Sequence, residues 1–250
     1  MKYKPYSPQV WEQIKTSIMM AKDQGQKLIA AFDADGTLWD TDLGEQFFHF
    51  QIDNKLVNLP PEPWNHYLEM KKINNDPRSA YLWLAQINRG KTLEQVREWA
   101  QQSFKAIQPN PIFEEQKRLI EILLKENVQI FVVTASVKWA VEPGALAIGL
   151  SHDNVIGVET QVENGIVGDT GLFPITYRQG KVEALLQKTQ GQKPFLASGN
   201  TMGDYELLLS ATHMSLAVSA AARDDRLFKT EAELQNSTSH FKNGVAHRFI

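Results

Sequence analysis

The stretch that decides the fold covers residues 28–37 and reads LIAAFDADGT. Its first five residues form a short, continuous apolar run, a pattern typical of a β-strand that is buried on both faces. Polar and turn-forming residues follow at once, so we expect the strand to end at Asp33. Asp33 and Asp35 then lie at the carboxyl tip of a buried parallel strand, which is where open α/β sheets bind their ligands.

The same alternation of helix and buried strand continues on both sides of this stretch. Ser7-Pro8 is a favourable helix start, and apolar residues at helical spacing continue from it to Gly25. Further apolar runs predict strands at 128–133, 154–159, 194–198 and 214–218, with a hairpin turn at Asn164-Gly165 and helical stretches beginning at Lys181 and covering 205–209. This pattern predicts an α/β fold with a Rossmann-like, doubly wound parallel sheet.

Residues 43–108 differ from the flanking segments in their sequence pattern. Helical patterns rich in aromatic residues are separated by turns of Pro, Asn and Gly, and no clear strand alternation interrupts them. Pro109-Asn110-Pro111 then separates this segment from the next helix. We therefore predict an inserted, all-helical cap domain over 43–108, with the core domain formed by residues 1–42 and 109–250.

The composition of the 250 residues is that of an ordinary globular protein, with 42% hydrophobic and 22% charged residues. Lys and Arg number 26 against 29 Asp and Glu, so no broad basic surface predicts a nucleic-acid or membrane partner. The lack of cysteine excludes disulfides, a thiolate nucleophile and Cys-ligated metal sites. Any anionic ligand must therefore be held locally, by a few polar side chains.

The sequence shows no targeting or membrane-spanning pattern. The N-terminal residues lack an uninterrupted apolar stretch with a cleavage site, and nowhere do about 18 apolar residues follow one another. We expect a cytoplasmic protein, or an exported one if a signal peptide was removed from the chain. The sequence does not indicate an oligomeric state.

Four sets of polar residues are predicted to meet at the carboxyl ends of the strands. They are Asp33 and Asp35 after the first strand, Thr134 and Ser136 after the second, Lys181 before a helix, and Asn200 and Asp204 after the fourth. Thr134 and Ser136 have an alternative role as the N-cap of the next helix. Carboxylates, hydroxyls, an ammonium group and an amide together suit a phosphoryl group, so the predicted partner is a small-molecule phosphate monoester.

A phosphate monoester is a dianion, which repels a carboxylate nucleophile unless a cation neutralises it. Mg²⁺ prefers oxygen ligands and commonly uses one or two carboxylates together with the substrate phosphate. The predicted ligands of this ion are Asp33, the backbone carbonyl of Asp35, and Asn200 or Asp204. Lys181 is predicted to neutralise the phosphoryl oxygens as well.

Asp33 is the predicted nucleophile and forms an aspartyl phosphate. Asp35 is the predicted general acid, which protonates the leaving oxygen and later activates water. Thr134 is predicted to donate its hydroxyl to the phosphoryl group, together with the neighbouring backbone N–H. The other predicted substrate contacts around the phosphoryl group are Gly36, Thr37 and Ala135.

The segments FDADGTLWD, FVVTAS, QGKVEAL and SGNTMGDYELL stand in this order in the chain. They resemble the motifs of the haloacid dehalogenase superfamily of phosphohydrolases: Asp-x-Asp, Thr or Ser, Lys, and Gly-Asp-x-x-x-Asp. The resemblance implies a magnesium-dependent phosphoric monoester hydrolase. The helical insertion resembles the cap of the phosphoserine phosphatase-like branch.

One residue departs from this pattern, because Asn200 stands where the family usually has the first Asp of the fourth motif. Asn keeps an oxygen ligand but lacks the negative charge, so we expect weaker Mg²⁺ binding unless Asp204 compensates. An alternative is therefore a catalytically weakened protein that keeps the fold and binds phosphate or a partner. A phosphonate hydrolase is a third possibility, and its Schiff-base lysine would have to be Lys55, Lys71, Lys72 or Lys91.

Two segments, residues 39–45 and 80–96, are similar to bacterial phosphorylcholine phosphatases. This similarity implies a small phosphorylated amino alcohol or amino acid as substrate, with Trp39, Asp42 and Glu45 facing the leaving group. An acidic and aromatic surface also suits a cation on physical grounds. The other aromatic residues of the insertion are expected to pack the helices together rather than to bind a ligand; they are Trp64, Tyr67, Tyr81, Trp83 and Trp99.

Overall fold

The computed structural model describes residues 3–220, 241 and 243–250. Its strands are β1 Ile29–Phe32, β2 Gln129–Val137, β3 Val155–Val158, β4 Thr160–Glu163, β5 Ile166–Gly171, β6 Leu196–Gly199, β7 Met214–Ser219 and β8 Val245–Arg248. Six of them form one sheet in the order β3-β2-β1-β6-β7-β8, and every neighbouring pair is parallel. The chain winds outward from β1 in both directions, which confirms the predicted doubly wound sheet.

The helices alternate with the strands of the six-stranded sheet, except between β1 and β2, where five helices follow one another. They are α1 Pro8–Asp23, α2 Leu43–Asp53, α3 Pro63–Lys72, α4 Arg78–Gln86, α5 Leu93–Ala106, α6 Glu114–Lys125, α7 Lys138–Ala147, α8 Gln179–Lys188 and α9 Tyr205–Ser210. Helix α1 begins as predicted, because the Ser7 hydroxyl accepts a hydrogen bond from Val10 N at 3.3 Å and Pro8 occupies the first turn.

Helices cover both faces of the sheet because successive residues of a strand point to opposite sides. In β1, Ala30 and Phe32 pack in the cluster of α1, α6 and α7, whereas Ile29 and Ala31 pack in the cluster of α8 and α9. All four side chains are fully buried. Burial on both faces explains the continuous apolar run in the sequence. Because β1 lies between β2 and β6, Asp33 follows the carboxyl end of a central strand.

Helices α2 to α5 form a separate hydrophobic cluster with its own buried aromatic residues, among them Phe47, Phe48 and Tyr67. The cluster also includes Trp139 and Ala140 at the start of α7, so the helical layer rests on the core through that helix. The helical character of residues 43–108 thus agrees with the sequence pattern. The division of the chain into two domains at these boundaries stays a prediction.

The hairpin of β4 and β5 packs on the helical layer, a contact that the sequence did not indicate. Asn164 and Gly165 form its turn with φ of +52° and +79°, the left-handed pair that an Asn-Gly turn requires. Leu93 N donates to Gly165 O at 2.8 Å, and Thr92 forms an isolated bridge with Ile166. The layer over the sheet edge is therefore built from four helices together with this hairpin.

Two strands differ from the sequence expectation. Strand β2 does not end at Val133 but continues to Val137, so Thr134 and Ser136 belong to the strand itself. The sequence does not predict strand β8, because the strand has only four residues and only Val245 among them is buried. It pairs in parallel with β7 at the edge of the sheet. The described helices include none that is long and apolar enough to cross a membrane.

One ion pair joins the helical layer to the core. Arg97 of α5 makes two hydrogen bonds to the Glu142 carboxylate of α7, from Nε at 2.7 Å and from Nη2 at 2.8 Å. The Glu142 side chain is 1% exposed, whereas that of Arg97 is 32% exposed. Arg97 is therefore the ion-pair partner of a buried carboxylate, while its own guanidinium retains access to water.

We predict that Arg97→Met lowers the free energy of unfolding by about 3 kcal/mol, because it leaves a buried carboxylate without its partner. Glu142→Gln should lower it less, since water can reach the unpaired guanidinium. Urea denaturation measures both variants, with Lys15→Met in the exposed Lys15–Glu12 pair as the control, expected to lose less than about 1 kcal/mol. Equal losses for Arg97→Met and Lys15→Met would contradict this account.

Candidate active site

A cavity of about 180 Å³ lies where the carboxyl ends of β1, β2 and β6 meet the helical layer. The core contributes Asp33, Asp35, Thr134, Ala135, Ser136, Val137, Tyr177, Lys181, Asn200, Thr201, Gly203 and Asp204. The helices above contribute Asp42, Gly44, Glu45, Tyr67, Lys71, Tyr81 and Leu84. The four predicted sets of polar residues at the strand ends thus face one cavity.

Lys181 lies at the bottom of the cavity between two carboxylates. Its Nζ is 2.5 Å from Asp33 Oδ1 and 2.6 Å from Asp204 Oδ1, and all three side chains are buried. Burial by itself would lower the pKa of Lys181, but the charges of Asp204 and Asp33 outweigh it and raise the pKa above the ordinary value. Lys181 therefore stays an ammonium group across the physiological pH range.

Asp33 is held by contacts on both carboxylate oxygens. Lys181 donates to Oδ1, and the hydroxyl of Thr37 donates to Oδ2 at 2.8 Å. Burial and the nearby Asp204 charge raise the pKa of Asp33 to about 7, although Lys181 acts in the opposite direction. The side chain is thus fixed in position, and the cavity disfavours a further negative charge without an additional cation.

Asp35 accepts three hydrogen bonds from groups in its surroundings. Trp39 Nε1 and Leu43 N donate to Oδ1, both at 2.8 Å, and Ser136 Oγ donates to Oδ2 at 2.6 Å. Burial nevertheless raises the pKa of Asp35, against the effect of these three donors. The carboxyl group is therefore rigidly oriented, and its environment favours a proton on it.

Trp39 does not face the cavity, which corrects the expectation that it contacts the leaving group. The side chain is completely buried in the core cluster, and its indole N–H donates a hydrogen bond to Asp35. A tight turn brings it there, since Gly36 N donates to Trp39 O at 2.8 Å. Trp39 therefore positions the predicted general acid instead of contacting the substrate.

Gly36 and Thr37 do not line the cavity either, so the expectation that they contact the substrate is corrected as well. Thr37 is buried, and its hydroxyl donates a hydrogen bond to Asp33. Gly36 has φ of +77°, and a Cβ there would lie 1.9 Å from Asn200 Nδ2. A glycine at this position thus leaves room for the amide of Asn200 beside Asp33.

Thr134 and Ser136 do not cap α7, so the alternative role given to them is wrong. The N-cap residue of α7 is Val137, and no side chain accepts a hydrogen bond there. Instead, Thr134 Oγ1 accepts from Ser136 N at 3.0 Å, and Thr134 O accepts from the Thr176 hydroxyl at 2.5 Å. Both residues, with Ala135 between them, line the cavity.

Asp204 mainly organises the loop that follows β6. Its Oδ2 accepts from the backbone N–H groups of Asn200 at 3.0 Å and Thr201 at 2.9 Å, while Oδ1 accepts from Lys181. With these contacts, Asp204 fixes Asn200 at the cavity wall. Of the two residues, Asn200 is the slightly more exposed, at 5% against 1% for Asp204.

The donor set around Asp33 fits Mg²⁺, although the charge that it supplies is low. Within 3–220, 241 and 243–250, no group of three or more His, Asp or Glu has metal-binding geometry. The available oxygens belong to the Asp33 carboxylate, the Asp35 backbone carbonyl and the Asn200 amide. Mg²⁺ is commonly bound by one or two carboxylates, with the other ligands supplied by water and substrate phosphate.

The opposite end of the cavity is acidic and aromatic. Asp42 Oδ1 caps α2 by accepting from Glu45 N at 2.8 Å, and Glu45 Oε1 accepts from Lys71 Nζ at 2.9 Å and from the Tyr67 hydroxyl at 3.2 Å. Although Asp42 is exposed at the surface, crowding by protein atoms at this end of the cavity raises the pKa of its carboxyl group, and the charges of Asp35 and Glu45 add to this effect.

Tyr67 and Tyr81 line the cavity, whereas Trp64, Trp83 and Trp99 do not. The expectation that the aromatic residues only pack the helices is therefore too broad for the two tyrosines. Sequence reasoning also missed Tyr177, which lines the cavity and whose ring lies 5.8 Å from that of Tyr81. Tyr67 and Lys71 are four residues apart and so lie on one face of a helix. This spacing is a sequence signal that could have predicted their contact.

Comparisons with known proteins identify a family for this chain. A family model described as haloacid dehalogenase-like hydrolase matches residues 30–209. No curated protein matches the sequence.

Solved structures resemble the chain at low sequence identity. A protein of unknown function from Anaerococcus prevotii DSM 20548 has a TM-score of 0.73 at 12% identity, covering 98% of this chain and 95% of that one. A protein of unknown function from Bordetella pertussis Tohama I has a TM-score of 0.69 at 16% identity, covering 89% and 98%. A phosphoserine phosphohydrolase-like protein from Francisella tularensis subsp. tularensis SCHU S4 has a TM-score of 0.54 at 16% identity, covering 81% and 92%. At these identities the likeness is one of fold.

We predict that Asp42→Asn makes the protein slightly more stable at pH 7, because water around the exposed side chain screens most of the charge effect. An acid whose pKa is raised by folding destabilises the folded state increasingly as the pH rises above its unfolded pKa, near about 3.9. Asn keeps the oxygen that caps α2 and removes the charge. The melting temperature of the variant should exceed that of the wild type at pH 7, and the two should converge near about pH 4.

The exposed Asp53 at the other end of α2 provides the control for loss of one negative charge. Asp53→Asn should show a smaller difference between the two pH values. A melting temperature of Asp42→Asn below that of the wild type at pH 7 would mean that the carboxylate stabilises the fold, contrary to this prediction.

Proposed function

The chain belongs to the haloacid dehalogenase-like hydrolase family, and from this premise we propose that it is a phosphomonoesterase acting through an aspartyl phosphate on Asp33. The observation that carries the proposal is the pairing of Asp33 with a buried lysine at one end of a small cavity. Lys181 Nζ lies 2.5 Å from Asp33 Oδ1. This arrangement holds a carboxylate nucleophile beside a fixed positive charge that a phosphoryl group needs.

In the proposed first step, Asp33 attacks phosphorus and the bond from phosphorus to the ester oxygen breaks. Asp35 gives its proton to the leaving oxygen, so the product alcohol departs neutral at that oxygen. The raised pKa of Asp35 supports this acid role, because burial favours the protonated form of its carboxyl group. The three donors on its carboxylate support the second role, removal of a proton from the water that hydrolyses the aspartyl phosphate.

The phosphoryl oxygens are proposed to be held by Lys181, by the Thr134 hydroxyl and by the backbone N–H of Ala135. Asp33, the carbonyl of Asp35 and Asn200 are the proposed ligands of Mg²⁺. When bound, Mg²⁺ supplies positive charge that offsets the repulsion between the phosphate dianion and the carboxylates.

The proposed substrate is a small phosphorylated amino alcohol or amino acid. Five carboxyl groups and two ammonium groups line the cavity, so its acidic groups are in excess of its basic groups. Asp42 and Glu45 carry part of this excess on the side of the helical layer, next to Tyr67 and Tyr81. A leaving group that bears an ammonium matches this charge and these rings. The cavity volume of about 180 Å³ favours a small molecule over a polymer.

We predict that Asp33→Asn lowers kcat at least about a thousandfold on every monoester, because the nucleophile is lost. Asp35→Asn should lower kcat about 10²- to 10⁴-fold on phosphocholine, phosphoethanolamine and phosphoserine, whose alkoxide leaving groups need a proton. The loss should be much smaller on p-nitrophenyl phosphate, whose leaving group is a stable anion. Phosphate release with millimolar Mg²⁺, compared with EDTA, measures all of these rates.

Wild-type turnover no greater than that of Asp33→Asn on any ester would favour the alternative, a phosphate-binding protein without catalysis. An equal loss for Asp35→Asn on alkyl and aryl esters would remove the general-acid role from Asp35 while leaving the nucleophile in place.

We further predict that Asn200→Asp raises the affinity for Mg²⁺ about tenfold, because it adds a negative charge beside Asp33 without changing the size of the side chain. The side chain has the same room, since Gly36 is unchanged. Thermal shift across a Mg²⁺ titration measures the affinity independently of turnover. An unchanged affinity would show that Asn200 is not a ligand of the ion.

A further inference from the structure

Lys71 places its ammonium group inside the acidic and aromatic end of the cavity. Its Nζ is 2.9 Å from Glu45 Oε1, 5.1 Å from the centroid of the Tyr67 ring and 5.9 Å from that of Tyr81. A carboxylate and two aromatic rings around one cation form a favourable site for ammonium binding. In this structure the ammonium group of Lys71 itself occupies this site.

The ion pair of Lys71 and Glu45 is accessible enough for another cation to replace the Lys71 ammonium. The side chain of Lys71 is 32% exposed and that of Glu45 is 28% exposed, so the pair is neither sealed from water nor fully solvated. Lys71 lies in the last turn of α3, and its flexible four-carbon stem can swing its ammonium outward. Within the described parts of the chain, no ion pair includes the neighbouring Asp42.

We propose that Lys71 is a specificity-determining residue: its ammonium occupies the contacts that a cationic leaving group would use, and such a group binds by displacing it. The inference rests on the proposed function for its link to substrate, but the binding site itself is independent of catalysis. A second ammonium at these contacts meets repulsion from Lys71 while that side chain stays in place. Esters with an uncharged leaving group avoid this competition.

The test uses choline, a permanent cation without a phosphoryl group, and isothermal titration calorimetry on the full chain. Lys71→Met removes the competing charge but keeps a side chain of similar length. We expect choline to bind Lys71→Met about tenfold more tightly than the wild type, since one cation no longer competes for Glu45 and the rings. The matched control is Lys72→Met, because Lys72 pairs with Glu69 at 2.7 Å in an exposed salt bridge and does not line the cavity.

Kinetics provide a second readout. With Lys71→Met, the ratio of KM for phosphocholine to KM for p-nitrophenyl phosphate should fall about tenfold. Lys71→Gln serves as a second variant if Lys71→Met does not fold, as judged by thermal denaturation. Weaker or unchanged choline binding in the folded variants would overturn the proposal.

The two hypotheses fail in different ways. If no monoester is hydrolysed by the wild type, the phosphatase proposal fails, but the choline affinities still decide the role of Lys71. If p-nitrophenyl phosphate is hydrolysed and KM for both esters rises in Lys71→Met, the phosphatase proposal stands. Lys71 would then contact the substrate directly, and its role as a competitor would be refuted.

Discussion

The buried ammonium of Lys181 between Asp33 and Asp204 is the interaction on which the rest of the site depends. Two carboxylates from different strand ends converge at this point, and without a cation between them their repulsion in a water-poor environment would separate the loops. Asp204 in turn holds the backbone of the loop after β6 through two N–H groups. The position of Asn200, and of any ion that it binds, therefore follows from the charge on Lys181.

The same constraint explains why the cavity is built from positions far apart in the chain. Lys181 and Asp33 are separated by 148 residues, but β1 and β6 are neighbours in the sheet and α8 packs against the same face. Parallel strands present their carboxyl ends on one edge, so side chains placed there meet whatever the length of the intervening sequence. Residues 43–108 can then be inserted between two of these strands without disturbing the bottom of the cavity.

This topological rule is also the reason why the sequence could predict the residues at the strand ends but not those around them. Asp33, Asp35 and Lys181 could be placed together because each follows from a strand or helix boundary. Trp39 could not, since its direction depends on a turn of a few residues that sends its indole back to Asp35. The contacts of Lys71 and Tyr177 depend on how the helical layer rests on the core, which no local pattern encodes.

The remaining question is how one carboxyl group can serve as acid and then as base. Burial favours the protonated form of Asp35, while three donors, from Trp39, Leu43 and Ser136, favour the carboxylate. Burial raises the pKa of Asp35 without removing the donors that stabilise its carboxylate, so the proposed mechanism can use the same group as acid and then as base. The fixed orientation means that this exchange requires no rearrangement of the side chain. A tryptophan buried completely in the core thus contributes to the proposed chemistry without touching the cavity.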